Sequence, residues 1–150
     1  MIARHRNAMK NGRTKAGGGV AILYGTSKMT MKNLPIKNKR HEIVASVGKL
    51  ANIKRRIVCI TIYIPPDTTK KARAKIIDDI DSVTQIKKDL NNPFIILGGD
   101  FNNTSVAKLT SIHQDLEELD SESTHGFNRL DLIFTNIPNT EVKTFFVQSC

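Results

Sequence analysis

The segment that most limits the fold of this chain is the apolar run at residues 57–64. It is rich in β-branched side chains and stops at Pro65-Pro66, which together predict a buried strand. A second apolar run, at residues 94–97, predicts another strand of the same kind. Apolar residues recur at helical spacing between them, namely Ile76, Ile80, Val83 and Leu90, with Ile77 and Ile86 flanking. A long helix between two strongly apolar strands predicts an α/β domain whose sheets pack face to face or are covered by helices.

The rest of the chain predicts further strands and few helices. Strands are expected at residues 20–24, 42–47, 130–135 and 142–147. A basic hairpin-like connection is expected at residues 49–56, an extended or turning segment at 25–40, and a short helix around 106–113. Residues 115–119 are ambiguous between helix and strand. Thr68 or Thr69 can cap the long helix, and its acids, Asp78, Asp79, Asp81 and Asp89, are predicted to be solvated.

Length and composition are those of a globular domain. The chain has 150 residues, of which 39% are hydrophobic and 25% charged, and it can bury a sizeable core. No apolar stretch approaches the length of a membrane helix, and the start lacks the apolar core of a signal peptide. Cys59 and Cys150 do not form a disulfide framework. A nuclear or cytoplasmic, non-secreted protein is therefore expected, with no membrane partner.

The positive charge is concentrated in one half of the chain. Residues 1–75 hold 18 Lys and Arg against two acids, a net charge of +16, whereas residues 76–150 hold five against twelve, a net charge of −7. This division is compatible with a surface that meets a polyanion and a separate site that needs carboxylates. A flexible basic tail plus solvated helix faces would give the same pattern. Residues 1–16 are basic and without periodicity, so we expect a loop or disordered leader ahead of a domain at 17–150.

Polar residues stand at the ends of three predicted strands. Tyr63 comes just before the Pro65-Pro66 stop, and Asp100 and Asn102 follow the turn expected at Gly98-Gly99. Residues i and i+2 at a strand end point the same way, so Asp100 and Asn102 could reach one phosphate or one hard metal ion. Asp131 lies inside an apolar run, where burial of an unpaired charge is costly, and it should therefore have a partner.

Together these segments resemble the endonuclease/exonuclease/phosphatase superfamily, and within it the endonuclease domains of non-LTR retrotransposons, which are similar to abasic-site endonucleases. The segments that carry the resemblance are Gly17-Gly-Gly-Val-Ala-Ile22, Ile60-Thr-Ile-Tyr-Ile-Pro-Pro-Asp67, Pro93-Phe-Ile-Ile-Leu-Gly-Gly-Asp-Phe-Asn102 and Leu130-Asp-Leu-Ile-Phe-Thr-Asn136. Their order and spacing match the family across nearly the whole chain. The resemblance implies a four-layered α/β/β/α sandwich with the active site at one edge of the packed sheets.

The resemblance also implies hydrolysis of a DNA phosphodiester aided by Mg²⁺ or Mn²⁺, with no small-molecule cofactor. Asp100 would match the aspartate that activates or positions the attacking water. Asn102 would match the asparagine that holds the scissile phosphate, and both residues would help the metal site. Tyr63 would match the tyrosine that hydrogen-bonds the phosphate, and Asp131 the aspartate that orients a catalytic histidine. Carboxylate and amide oxygens are ligands that suit hard divalent cations.

Two parts of the family pattern are missing from the 150 residues. No acidic residue precedes Gly17, where the family has a metal-binding glutamate, and no Ser-Asp-His segment is present. None of His5, His41, His113 and His125 fits the catalytic role, and Glu42 reads as a surface residue rather than a substitute ligand. We therefore expect an incomplete domain, weakly active or inactive alone. The alternatives are a phosphatase of the same superfamily and a non-catalytic nucleic-acid-binding remnant, whose binding would not need divalent metal.

Overall fold

Two hairpins and one helical crossover build the main sheet of this protein. In this computed structural model the described residues are 1–5, 9–10, 13–14, 19–36, 42–50, 54–85, 90–102, 104–105, 115–119 and 130–138. Along them the elements are β1 (Ile2–His5), β2 (Met9–Lys10), β3 (Arg13–Thr14), β4 (Gly19–Ile22), β5 (Met29–Leu34), β6 (Glu42–Leu50), β7 (Arg56–Tyr63), α1 (Lys70–Thr84), β8 (Phe94–Asp100), β9 (Glu117–Glu118) and β10 (Asp131–Thr135). Among these residues, no helix is both long and apolar enough to cross a lipid bilayer.

Six of the strands form one mixed sheet in the order β5-β6-β7-β8-β10-β9. The pairs β5–β6, β6–β7 and β8–β10 are antiparallel, whereas β7 and β8 are parallel. Parallel neighbours need a crossover connection, and α1 supplies it here. The two strongest strand predictions are therefore adjacent in the centre of the sheet, with the predicted helix between them in sequence.

The crossover helix is held by a cap at its start and by an apolar stripe along its length. The hydroxyl of Thr69 accepts a hydrogen bond from the Ala72 backbone N–H at 3.3 Å, as expected for an N-cap. The buried stripe consists of Ile76, Ile77, Asp79, Ile80, Val83 and Thr84. Asp79 was predicted to be solvated, but its side chain is only 8% exposed. The buried face of α1 is broad enough to include Asp79 beside its neighbouring isoleucines. The helix ends before Leu90, which packs on the core from a turn.

The main core lies between α1 and one face of the sheet. It joins the helix isoleucines to alternate residues of the central strands, which are Ile43, Ala45, Val58, Ile60, Ile62, Ile95, Leu97, Leu132 and Phe134. Phe101 and Phe134 meet there edge to face, with ring centroids 5.8 Å apart. At the end of this layer the Asn136 side chain extends the pairing of β10 with β8, because its Oδ1 accepts from the Ile95 N–H and its Nδ2 donates to the Pro93 carbonyl.

The opposite face of the sheet is partly covered by a second, two-stranded sheet. Strands β1 and β4 pair antiparallel and lie against β6 and β7. They cover residues that are buried yet absent from the core on the helix side, including Val44, Ser46 and Ile57. Within the described residues the layers are therefore helix, six-stranded sheet and two-stranded sheet, which confirms the predicted layered α/β class.

Several sequence predictions differ from the observed elements. Residues 1–16 were expected to lack regular structure, but β1 is a strand paired with β4. Strand β5 was expected only as an extended or turning segment. Within the ambiguous residues 115–119, Glu117–Glu118 form the short strand β9 on β10. The helix predicted at 106–113 and the strand predicted at 142–147 lie outside the described residues.

Candidate active site

One line of polar side chains crosses four strands at the end of the main sheet. Glu42 is paired with Tyr63, Tyr63 with Asp100, and Asp100 with Asp131. Residues in register on neighbouring strands point to the same face, here the face away from α1. Three strand spacings of about 4.8 Å make the line roughly 14 Å long at the backbone. We call Glu42, Tyr63, Asp100 and Asp131 the polar row.

The loop after β8 is tied to the loop after β7 beside this row. Oδ1 of Asp100 accepts a hydrogen bond from the Asn102 backbone N–H at 2.9 Å, which forms an Asx turn. Nδ2 of Asn102 donates to the Ile64 carbonyl at 2.8 Å, and the Ile64 N–H donates to the Asp100 carbonyl at 2.9 Å. Asn102 adopts a left-handed backbone (φ 46°), a conformation that asparagine tolerates well. Asp100 and Asn102 are therefore adjacent because the chain turns, and not because they alternate along a strand.

Gly99 allows the two central strands to approach closely next to the row. The predicted turn at Gly98-Gly99 is wrong, because β8 continues through both residues to Asp100. Gly99 has φ +146°, and a Cβ there would overlap the Ile62 carbonyl oxygen of β7. A Cβ at Gly98 would meet only ordinary contacts, at 3.6 Å from Ile133 Cγ1 and the Leu132 carbonyl. The close neighbour that requires glycine is thus the β7 backbone rather than a ligand.

Asp131 lies in the row, but its environment differs from the expected one. The sequence predicted a buried carboxylate that needs a partner to offset desolvation, whereas the residue is exposed. It belongs to the face of β10 that also leaves Ile133 40% exposed. Asp131 is directly opposite Asp100, and like charges at directly opposed positions repel. A pair of carboxylates so placed favours a cation or a positively charged side chain between them.

The donor atoms at the row suit Mg²⁺ or Mn²⁺ more than a softer metal. Among the described residues no three His, Cys, Asp or Glu side chains cluster as a complete metal cage. Mg²⁺ commonly uses one or two carboxylates together with waters and substrate phosphates. The Asp100 carboxylate and the Asn102 amide oxygen provide a partial oxygen set of that type, so these residues fit the expected ion.

Glu42 is the row member that the sequence analysis discarded. The register of the β6–β7 hairpin would have identified it. Lys49 is opposite Arg56 near the turn, and the same number of residues away from the turn along each strand brings Glu42 opposite Tyr63. Its residue is only half-buried, but its Oε2 atom is shielded from solvent. Glu42 therefore adds a second carboxylate next to Tyr63.

Cys59 and His5 are further reactive residues within the described ranges, and neither belongs to the polar row. Burial raises the pKa of the Cys59 thiol from 9.0 to about 11, so it stays protonated and weakly nucleophilic at neutral pH. His5 lies in β1, and the other three histidines fall outside the described residues. The statement that none of the histidines is catalytic stays a prediction.

The basic hairpin lies at the other end of β7. Arg55 stacks on Phe94, with its guanidinium carbon 3.9 Å from the ring centroid, and its Nε donates to the Asn92 carbonyl. Arg56 and Tyr63 begin and end β7, so about 23 Å of strand separates them. The basic segment and the polar row are therefore separate regions of one sheet.

Known structures share this arrangement of strands and helix. The catalytic domain of human Nocturnin, solved with a bound sulfate anion, matches with a TM-score of 0.56 and 14% identity over 74% of this chain and 49% of that one. The endonuclease domain of TRAS1, a telomere-specific non-LTR retrotransposon, matches with a TM-score of 0.50 and 16% identity over 73% of this chain and 54% of that one. No protein-family model matches the sequence, and a search of curated proteins found no match.

Both matched structures have the endonuclease/exonuclease/phosphatase fold, and this chain has the same fold. Such low sequence identities establish the fold and leave the chemistry to the site itself. The chain spans about half the length of the solved structures it matches.

Proposed function

We propose that this chain, with its endonuclease/exonuclease/phosphatase fold, carries part of the active site of a metal-dependent phosphodiesterase that nicks DNA. The observation that supports the proposal most is the polar row at the carboxyl ends of the parallel strands β7 and β8. Ligands of α/β sheets characteristically bind outside the carboxyl ends of such strands. A phenol, two paired carboxylates and a neighbouring amide there match the needs of phosphoryl transfer, which depends on positioning and electrostatics.

Two neutral groups of the site would hold the scissile phosphate. The Tyr63 hydroxyl can donate a hydrogen bond to a phosphoryl oxygen. The Asn102 Nδ2 uses one hydrogen for the Ile64 carbonyl, and its second hydrogen is the one that would reach the phosphate. Because that amide is fixed to the backbone of the neighbouring loop, its orientation is set before substrate binds.

The two paired carboxylates would have different tasks. Asp100 would take a proton from the attacking water or hold that water in line with the phosphorus. Asp131 would accept a hydrogen bond from an imidazole and keep that ring correctly oriented, as carboxylates do in other hydrolases. Asp131 is exposed, so a histidine could approach it from the solvent side.

Asp100 and Asn102 would hold the divalent ion. When bound, Mg²⁺ or Mn²⁺ supplies charge stabilisation at the phosphoryl oxygens and lowers the pKa of bound water. A cation at this place would also offset the repulsion between Asp100 and its paired neighbour Asp131.

DNA is the substrate that the charge distribution favours. The chain carries a net charge of +9, and its half with a net charge of +16 contains Glu42 and Tyr63 of the row; such a charge favours a polyanionic substrate. TRAS1, one of the matched structures, is the endonuclease domain of a retrotransposon. Together with the motif resemblance, this supports an origin in a retrotransposon-like protein.

The test is nicking of supercoiled plasmid DNA by the purified chain in Mg²⁺. We expect slow nicking that EDTA abolishes and that Asp100→Asn lowers by about 10²–10⁴-fold. Asp78→Asn, an exposed acid on α1, is the matched control and should keep the wild-type rate. Nicking that persists in EDTA or in Asp100→Asn would contradict the proposal. A folded chain that leaves the plasmid intact would mean that this chain alone is an inactive fragment whose function is at most DNA binding.

A second candidate is nucleic-acid binding without cleavage. The observation in its favour is the lack of a complete three-ligand cluster among the described residues. Binding of this kind would fall steeply with salt and would not respond to Mg²⁺ or EDTA. Plasmid nicking that depends on both Mg²⁺ and Asp100 would exclude it.

A further inference from the structure

A second charged region lies at the β5 side of the main sheet. Two adjoining depressions share Thr30 and Lys49 in their walls. Four cationic side chains line them, and we call these residues the basic concavity: Lys28, Lys32, Lys49 and Arg56. Lys28 belongs to the turn before β5, and the other three lie on the neighbouring strands β5, β6 and β7.

Strand register explains why these cations converge. Lys49 is directly opposite Arg56 on one side and Thr30 on the other. Lys49 is two residues from Val47, and Arg56 is two residues from Val58. Both valines contact the core beside α1. Because side chains alternate along a strand, Lys49 and Arg56 lie on the helix side of the sheet.

Within the described part of the chain, the positive charge of the basic concavity has no compensating acid. No acidic residue of that part lines either depression, and none of the four cations has an ion pair there. Like charges directly opposite on antiparallel strands are destabilising, and Lys49 and Arg56 have that relation. An arrangement that costs stability in the free protein is relieved when an anion binds between the two groups.

This region is too far from the polar row to serve the same phosphate. About 23 Å of β7 separates Arg56 from Tyr63, and the two residues point to opposite faces of the sheet. That distance exceeds two Debye lengths at physiological ionic strength, about 8 Å each, so the concavity adds little to the field at the row. An anion bound in the concavity would therefore be either a second ligand or a distant part of one long ligand that also reaches the row.

We propose that the basic concavity is a second, sequence-independent binding surface for the phosphate backbone of duplex nucleic acid. Its hydroxyl groups, on Thr26, Ser27 and Thr30, add hydrogen-bond donors of the type that contact phosphate oxygens. Its lining, as far as the structure describes the chain, contains no aromatic residue on which a base could stack.

An anionic membrane fits this surface less well. Peripheral membrane surfaces combine cations with exposed apolar side chains that enter the lipid interface. The large apolar residues that the described chain exposes are Met1, Leu23 and Ile133, and none of them lines the concavity. A backbone of regularly spaced phosphates matches cations on three adjacent strands better.

The experiment measures binding apart from cleavage. Fluorescein-labelled 20-base-pair DNA of arbitrary sequence is titrated with the full chain in EDTA, in an Asp100→Asn background, over a range of KCl concentrations. The test variant is Lys32→Gln/Lys49→Gln, and the matched control is Lys71→Gln/Lys75→Gln, which removes two exposed charges from α1. Thermal melting of each protein checks that both variants fold, and Lys28→Gln provides an independent change in the turn.

We expect the test variant to bind DNA about tenfold more weakly and to lower the slope of log K against log salt by about 2. The control should keep the wild-type slope. Equal losses in both double variants would mean that only net charge matters and would overturn the proposal, as would wild-type binding by the test variant. Loss of binding to phosphatidylserine vesicles with unchanged DNA binding would assign the surface to membranes instead. Because EDTA stops cleavage, these outcomes are independent of the nicking test.

Discussion

At the scale of single residues, the two consecutive glycines of β8 have different tasks. Gly99 combines a positive φ with a position where any Cβ overlaps the Ile62 carbonyl, whereas a Cβ at Gly98 would make only ordinary van der Waals contacts. The overlap occurs one residue before Asp100 and directly beside the register pair Tyr63 and Asp100. Gly99 thus links the packing of the central strands to the geometry of the polar row.

We predict that Gly99→Ala lowers the free energy of unfolding by more than about 3 kcal/mol, because backbone strain and overlap with β7 add together. Gly98→Ala is the control and should change stability by less than about 1 kcal/mol. Urea denaturation of the three proteins measures both effects. Equal stability of the two alanine variants would contradict a close approach of the β7 backbone at Gly99.

At the scale of elements, the hairpin β6–β7 brings Glu42 to the row. A carboxylate whose Oε2 is shielded from water acts strongly on neighbouring groups, since solvent screens its charge less. Directly paired with Tyr63, it is placed to orient the group that would bind the phosphate. Its contribution would be to positioning, through Tyr63, rather than to direct contact with the reacting atoms.

We predict that Glu42→Gln slows plasmid nicking about tenfold while DNA affinity in EDTA stays within twofold of wild type. The amide keeps the shape of the side chain and removes its charge. Glu117→Gln, on exposed β9, is the matched control and should nick at the wild-type rate. A Glu42→Gln protein with unchanged nicking, or with equally weakened DNA binding, would rule out a positioning role.

The central elements were predictable from the sequence because their signals are local. The run at 57–64 corresponds to β7 (Arg56–Tyr63), and the threonine cap and isoleucine spacing correspond to α1. Strand β5 was missed because Met-Thr-Met-Lys-Asn-Leu has weak apolar alternation and a low strand propensity. Its backbone pairing with β6 stabilises the strand instead. Strand β1 was missed because a four-residue basic segment becomes a strand only through its partner β4.

The sequence indicated which polar residues stand at strand ends, whereas their mutual arrangement comes from the structure. Tyr63, Asp100 and Asp131 lie in one line because of strand register, and their roles in a site stay a prediction. Exposure of Asp131 and the hydrogen bond from the Asn102 side chain to the Ile64 carbonyl depend on tertiary structure that no local pattern encodes. Glu42 was discarded because its position depends on hairpin register, a non-local quantity that residue type does not reveal.

At the scale of the whole molecule, the first strand contributes to the layered structure. The β1–β4 sheet lies against β6 and β7 on the face where Val44 and Ile57 are buried. Without that cover these side chains would meet solvent, and β4 would lose its hydrogen-bonded partner. Residues 2–5 are therefore part of the fold, which contrasts with the disordered leader expected for residues 1–16 from their composition.

Removal of residues 2–5 should accordingly lower the free energy of unfolding by on the order of 2–4 kcal/mol, because burial of Val44 and Ile57 depends on this cover.

A milder pair of variants separates side-chain packing from backbone pairing. Ile2 is half-buried and Ala3 exposed on the same strand, so Ile2→Ser should destabilise the protein and Ala3→Ser should not. Guanidinium denaturation gives the stabilities, and binding of a hydrophobic dye reports the uncovered face. Wild-type stability in the truncated chain would mean that β1 pairs with β4 without supporting the main sheet. The segment would then behave like the leader expected from its composition, because the fold would not depend on it.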